Sequence, residues 1–235
     1  MSDDLNTRLS ENLRTIRDRL ANACSRAGRT PDEVTLVAVT KYAELDWVQE
    51  LVKLGVTELG EARPQQLVQR AKQLPSNVHW HLIGHLQRNK ADTVLPVASL
   101  IHSVDSVRLF DHLAKLGKPL DQRPRVLLEV NVSGEESKDG FDARSLLEAW
   151  PHLRECDSLE VAGLMTMAPL DDSNVVARPV FRGLRELRDR LRSESDGRFP
   201  LNELSMGMSG DFEIGIEEGA TIVRIGSSLF EGLAP

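Results

Sequence analysis

The sequence predicts a (β/α)8 barrel with an extra helix at its N-terminus. Three observations carry this. Eight short apolar runs alternate with helical stretches along nearly the whole chain. The runs are apolar on both faces, as strands are when crossover helices bury a parallel sheet on both sides. The length, 235 residues, is close to the ~250 usual for eight such units. An open doubly wound sheet has the same rhythm. It is disfavoured because no GxGxxG follows the first run and no composition break or low-complexity linker divides the chain. The expected organisation is one barrel domain over 1–235, with the helix within 1–28 and the barrel over 35–231.

Taken in order, Leu5, Leu9, Leu13, Ile16, Leu20 and Ala23 step by four or three and mark one face of a helix to about Arg26. Ala27-Gly28-Arg29-Thr30-Pro31 stops it. The apolar runs follow at 35–40, 57–60, 78–84, 100–104, 126–132, 159–167, 201–206 and 221–225. Helical candidates lie between them at 45–54, 64–73, 107–116, 143–153, 176–191 and 212–218. Pro64 suits the first position of its helix. In the longest helix Val176, Val180, Phe181, Leu184, Leu187 and Leu191 form the apolar stripe. Arg182, Arg185, Arg188 and Arg192 turn elsewhere and read as a solvated face.

Composition narrows the function classes. With 29 basic and 36 acidic residues the formal charge is −7, which argues against nucleic-acid binding by the whole surface. No segment approaches the roughly 20 apolar residues of a membrane span, and the first residues lack the basic start and apolar core of a targeting signal. Cys24 and Cys156 stand alone, which suits a reducing cytoplasm without a disulfide framework.

A barrel carries its chemistry where strands end. Lys41 closes the first run, Leu36-Val-Ala-Val-Thr-Lys41. An amine there is either an ion-pair partner, with Glu61 the nearest candidate, or a nucleophile. The last run alternates so that Ile222, Arg224 and Gly226 share one face. Gly226-Ser227-Ser228 then opens a short helix whose free amides form an anion site. Met206-Gly-Met208-Ser209-Gly210 supplies the loop before it. Ser209 is alternatively a cap for the helix from 212. Ser205 and Asn131 complete the rim, and Asn131 also fits a backbone-bonding role in its turn. Strand eight must pair with strand one to close the barrel, which brings Lys41 beside the phosphate loop. A lysine next to a phosphate cup fits pyridoxal phosphate, or a phosphorylated sugar carbonyl in a Schiff-base aldolase.

These residues resemble a known family. Leu36 to Lys41, Trp80-His-Leu-Ile-Gly-His-Leu-Gln-Arg-Asn-Lys90, His102-Ser-Val-Asp105, Val130-Asn-Val-Ser133 with Glu136-Ser-Lys138, Gly163-Leu-Met-Thr166, Leu204-Ser-Met-Gly-Met-Ser209 with Asp211-Phe-Glu213, and Val223-Arg-Ile-Gly226 are similar, in order, to the pyridoxal phosphate homeostasis proteins, the YggS/PROSC-like family. The resemblance implies the barrel of alanine racemase without that enzyme's second domain. It implies pyridoxal 5'-phosphate (PLP) as a Schiff base on Lys41, phosphate contacts at Ser209, Gly226 and Ser227, and Arg224 near the pyridine nitrogen. Met208, Ser205 and Asn131 are further candidate cofactor contacts. The family is regarded as binding PLP and passing it to PLP-requiring apoenzymes, without established turnover. Its members lean towards the monomer.

A permanently charged arginine at the pyridine nitrogen disfavours its protonation and weakens the ring as an electron sink. Tyr42 is the single tyrosine of the chain, so the second acid/base of an amino-acid racemase is hard to supply, although an aspartate, histidine or cysteine would serve. Carrier, racemase and cofactor-free aldolase remain three distinct readings. Where the family reads Gly-Glu-Asn, this chain has Gly60-Glu61-Ala62, which removes any contact of that asparagine amide. His79, His81 and His85 alternate onto one strand face. Without an acidic ligand set they read as half-buried strand histidines rather than a metal site.

Overall fold

The computed structural model describes residues 2–121, 123–135, 139–169, 175–195 and 197–233. Helix α1 (Ser2–Arg26) comes first. The strands are β1 (Thr35–Val39), β2 (Glu58–Glu61), β3 (His79–Leu82), β4 (Ala98–Val104), β5 (Arg125–Glu129), β6 (Glu160–Met165), β7 (Glu203–Met208) and β8 (Ile222–Ile225). They form a closed parallel barrel in sequence order, with Val37 opposite Arg224 and Ala38 opposite Ile225 at the seam. Around it lie α2 (Leu45–Lys53), α3 (Pro64–Ala71), α4 (Ala91–Val94), α5 (Val107–Gly117), α6 (Ala143–Leu153), α7 (Ala177–Ser193) and α8 (Phe212–Glu217).

Alternation along the strands divides the apolar residues into two bodies. Val37, Leu100, Leu127, Ala162, Met165 and Ile222 fill the barrel interior. A larger shell between strands and helices buries Val48, Leu51, Phe110, Trp150, Phe181 and Phe212. Helix α1 lies against the C-terminal part of the chain. Asn12 Nδ2 donates to the carbonyls of Leu229 and Glu231 at 3.0 Å each, and the Arg19 guanidinium sits 4.7 Å over the Phe212 ring while pairing with Glu213 at 3.1 Å.

Several elements depart from the sequence expectation. Helix α4 was not foreseen. Its four residues follow a 3-10 turn at Arg88–Lys90 and bury little beyond Ala91 and Val94, too few to make a period. Strand β7 begins at Glu203 rather than 201, because Pro200 precedes it and Leu201 has φ +45°, outside the strand region. It runs on to Met208, which pairs with Arg224. The fifth run ends its ladder at Glu129, after which Val130 bridges Phe141. Pro64 does occupy the first turn of α3.

The arginine face of α7 is solvated, as its spacing predicts, and three of its members are also engaged. Arg178, Arg182 and Arg185 converge on the buried Glu218 carboxylate at 3.0, 3.1 and 3.1 Å, fastening α7 to the end of α8. Among the described residues no helix is long and apolar enough to cross a membrane. The 136–138 part of the fourth sequence motif lies outside the described residues.

Candidate functional site

Lys41 stands in the turn two residues beyond the end of β1, half-buried, with its Nζ 5.1 Å from the ring of the exposed Tyr42. Glu61 is not its partner. The Glu61 carboxylate accepts from Arg70 Nη1 at 2.6 Å and from the Thr40 hydroxyl at 2.6 Å. Arg70 also donates to the carbonyls of Thr40 (2.7 Å) and Ala43 (2.5 Å). One buried guanidinium thus grips the backbone on both sides of Lys41, whose amine has no ion-pair partner among the described residues. Burial pushes the Glu61 carboxyl up, with Thr40 and Arg70 pulling against it, and Glu61 Oε2 has no hydrogen-bond partner among the described residues. Sequence reading missed Arg70, since an arginine in the last turn of a helix reads as surface.

A cup of convergent amides assembles from the loops after β7 and β8. Ser209 Oγ accepts from the amides of Gly226 (3.2 Å) and Ser228 (3.4 Å) at the start of the 3-10 turn Ser227–Leu229. Ser209 does not cap α8, because Asp211 takes the N-cap position and accepts from the Met208 amide at 2.6 Å. Gly207 has φ +96°, and a Cβ there would come within 2.7 Å of Phe212 Cα, so only glycine permits this loop. Gly226 lies against Val39, two residues before Lys41. The cup and the lysine are therefore neighbours across the β1–β8 seam. The Ser227 side chain is exposed.

Arg224 projects into the barrel and is buried, with Nη1 donating to Ser205 Oγ at 2.5 Å and Nη2 to the Thr166 carbonyl at 2.9 Å. Burial lowers it to about 10, opposed by the charges of Glu129 and Asp211, so it stays cationic at neutral pH. Ser205 is fully buried beneath it and also contacts His102 Nδ1 at 2.8 Å. Its hydroxyl is committed to these two partners. Met208 lies beside Arg224 by register.

Glu129, absent from the sequence expectations, ends β5 with 5% of its surface exposed. In an eight-strand barrel in sequence order β5 stands opposite β1, so Glu129 ends the strand across the barrel from the one that leads to Lys41. Burial, reinforced by Asp105, raises its carboxyl to about 7. Asp105 itself pairs with His85 at 3.0 Å. Asn131 organises its own turn: Oδ1 accepts from the Gly134 amide at 3.0 Å, and Nδ2 donates to the Glu135 carbonyl at 2.7 Å. Ala62 touches the loop after β3 so closely that a Cβ on Gly84 would come within 2.3 Å of its carbonyl oxygen. His79 and His81 both contact Glu58, at 2.6 and 2.7 Å. No group of three or more His, Cys, Asp or Glu side chains among the described residues is arranged to hold a metal ion.

With this geometry in hand, three comparisons agree. Residues 8–234 match the family profile described as alanine racemase, N-terminal domain. A pyridoxal phosphate homeostasis protein of Aquifex aeolicus is 40% identical over 221 residues, covering 94% of this chain and 96% of that one. Among solved structures, a protein of Bifidobacterium adolescentis superposes with a TM-score of 0.90 at 35% identity, over 98% of this chain and 97% of that one. PipY of Synechococcus elongatus, solved with PLP bound, gives 0.79 at 32% identity, over 92% and 99%. A closed barrel of this strand order, matched over nearly its whole length by such relatives, belongs to the family of the pyridoxal phosphate homeostasis proteins.

Proposed function

We propose that this chain binds pyridoxal 5'-phosphate covalently through Lys41 and holds it for intracellular homeostasis and delivery to PLP-requiring apoenzymes, rather than for turnover. The observation that carries the reading is a lysine amine with no ion-pair partner among the described residues, beside two convergent amides across the barrel seam. PLP, when bound, supplies an aldehyde for the lysine and a ring able to accept electrons. In this reading Ser209, Gly226 and Ser227 take the phosphate, Met208 lines the ring, and Arg224 faces the pyridine nitrogen. A guanidinium held cationic there keeps that nitrogen unprotonated and the ring a weak electron sink, which suits storage. Ser205 acts from beneath Arg224, and Asn131 shapes the adjacent loop. Delivery to a partner and the monomeric, cytoplasmic setting belong to the same proposal.

The test is direct. Purified protein mixed with PLP is expected to develop a visible band that borohydride reduction fixes onto the peptide containing Lys41, and Lys41→Ala to lose both. A colourless protein that gains no mass on reduction sinks the reading. Loaded protein is then expected to reactivate a PLP-requiring apoenzyme while leaving the α-proton of added amino acids unexchanged with solvent. Rapid exchange overturns the storage role in favour of racemase-type chemistry.

A further inference from the structure

Four side chains on four strands join the floor of the barrel to Arg224. Glu58 opens β2 and lines, with His79, His81 and Arg125, a cleft of about 710 Å3 at the end of the barrel remote from Lys41. Glu58 Oε2 meets His81 Nε2 at 2.7 Å. His81 Nδ1 meets His102 Nε2 at 2.8 Å, and His102 Nδ1 meets Ser205 Oγ at 2.8 Å. Arg224 closes the line at Ser205. His81, His102, Ser205 and Arg224 are all buried.

The direction of every bond follows from the two ends. A guanidinium only donates, so Ser205 Oγ accepts from Arg224. Among the described residues the Ser205 hydroxyl has one acceptor in reach, His102 Nδ1. That nitrogen is then bare, and His102 carries its proton on Nε2 and donates to His81 Nδ1. His81 in turn donates from Nε2 to the carboxylate of Glu58, which only accepts when ionised. Both imidazoles are neutral and share one tautomer, and no donor faces a donor.

We propose that Glu58, His81, His102 and Ser205 form a one-way hydrogen-bonded relay that positions Arg224 from the floor of the barrel, so that a change at Glu58 and His81 is felt at the cofactor ring. It rests on the reading that Arg224 faces that ring. His81 from β3 and Arg224 from β8 face His102, and burial above all holds its imidazole well below the usual range. Against the upward push of burial, His81 and His79 hold the Glu58 carboxyl down. Glu129 from β5 and Asp211 beside β7 face Arg224. A second proton on His102 would sit on Nδ1, reverse the bond to Ser205 and weaken the hold of that hydroxyl on Arg224, which keeps its bond to the Thr166 carbonyl.

Nitrogen-15 NMR of histidine-labelled protein without cofactor tests the relay first. The expected result is the Nε2–H tautomer for both His81 and His102 from about pH 6 to 8. Ser205→Ala is expected to scramble the His102 tautomer and Ser205→Thr to restore it. In protein loaded with PLP, Ser205→Ala and His102→Phe are expected to move the pH midpoint of the visible band by about half a unit, about threefold in proton affinity, with Ser205→Thr unmoved. An Nδ1–H or cationic His102 in the unmutated protein overturns the relay. So does a midpoint unchanged in Ser205→Ala while Arg224→Leu shifts it. A protein that takes up no PLP defeats the cofactor reading instead, and the tautomer measurement still decides the relay.

Discussion

Arg70 illustrates how one buried charge decides what its neighbours are free to do. By occupying Glu61 and two carbonyls flanking Lys41 it removes the acid that would otherwise neutralise the lysine. Arg70 and Glu61 side chains are 9% and 0% exposed, so removing one partner strands the other. Arg70→Met is expected to cost about 3–5 kcal/mol in urea denaturation. The double variant Arg70→Met with Glu61→Gln should recover part of that, because no isolated carboxylate is left inside. A loss no larger than that of an ordinary surface substitution would show that the clamp is dispensable. None of this was legible beforehand. Lys41, Gly226 and Ser209 are found by asking which residues end strands, a question sequence order answers. The partner of Glu61 depends on which way a helix face turns nine residues later.

At the level of elements, strands were readable because burial on both faces makes them continuously apolar, and helices because their stripes repeat. What failed was short or was defined by its neighbours. Helix α4 has no room for a period, and β7 is set by a backbone angle at Leu201. The arginines of α7 showed a cationic face correctly, yet the acid that gathers them, Glu218, ends another helix more than thirty residues on. Its carboxylate is 5% exposed while the arginines are 34–52% exposed. Solvent screening on the arginine side discounts the buried-pair figure, and Glu218→Ala is expected to cost about 2–3 kcal/mol and to loosen α7 against α8. Hydrogen exchange of the α7 amides reads the second effect directly. Protection unchanged along α7 would assign its docking to the apolar stripe alone.

For the whole molecule, the closed strand order matters most, since it sets Glu129 across the barrel from the strand that leads to Lys41 and stacks His81, His102 and Ser205 into one line. The residue contacts so produced span 103 positions in the case of His102 and Ser205, which no local pattern reports. Glu129 also gives the fold a pH dependence of determinate sign. Its folded value of about 7 lies above the 4.5 of an unburied glutamate, so between these limits the folded state binds more protons than the unfolded one. Stability therefore falls as pH rises through that window. The shift caps the effect at roughly 3 kcal/mol. Glu129→Gln is expected to flatten the profile and to be the more stable form at pH 8, measured by urea midpoints at pH 5 and pH 8. A variant whose midpoints track the unmutated protein would place the titration elsewhere.

The seam between β1 and β8 has a consequence for how the protein comes into being. Lys41 is made well before the strand that completes the barrel and before the amides at 226–228. A domain folds as a unit, so the barrel closes only once β8 has emerged. A nascent chain cut short before β8 therefore carries the Lys41 amine without the convergent amides that stand beside it across the seam.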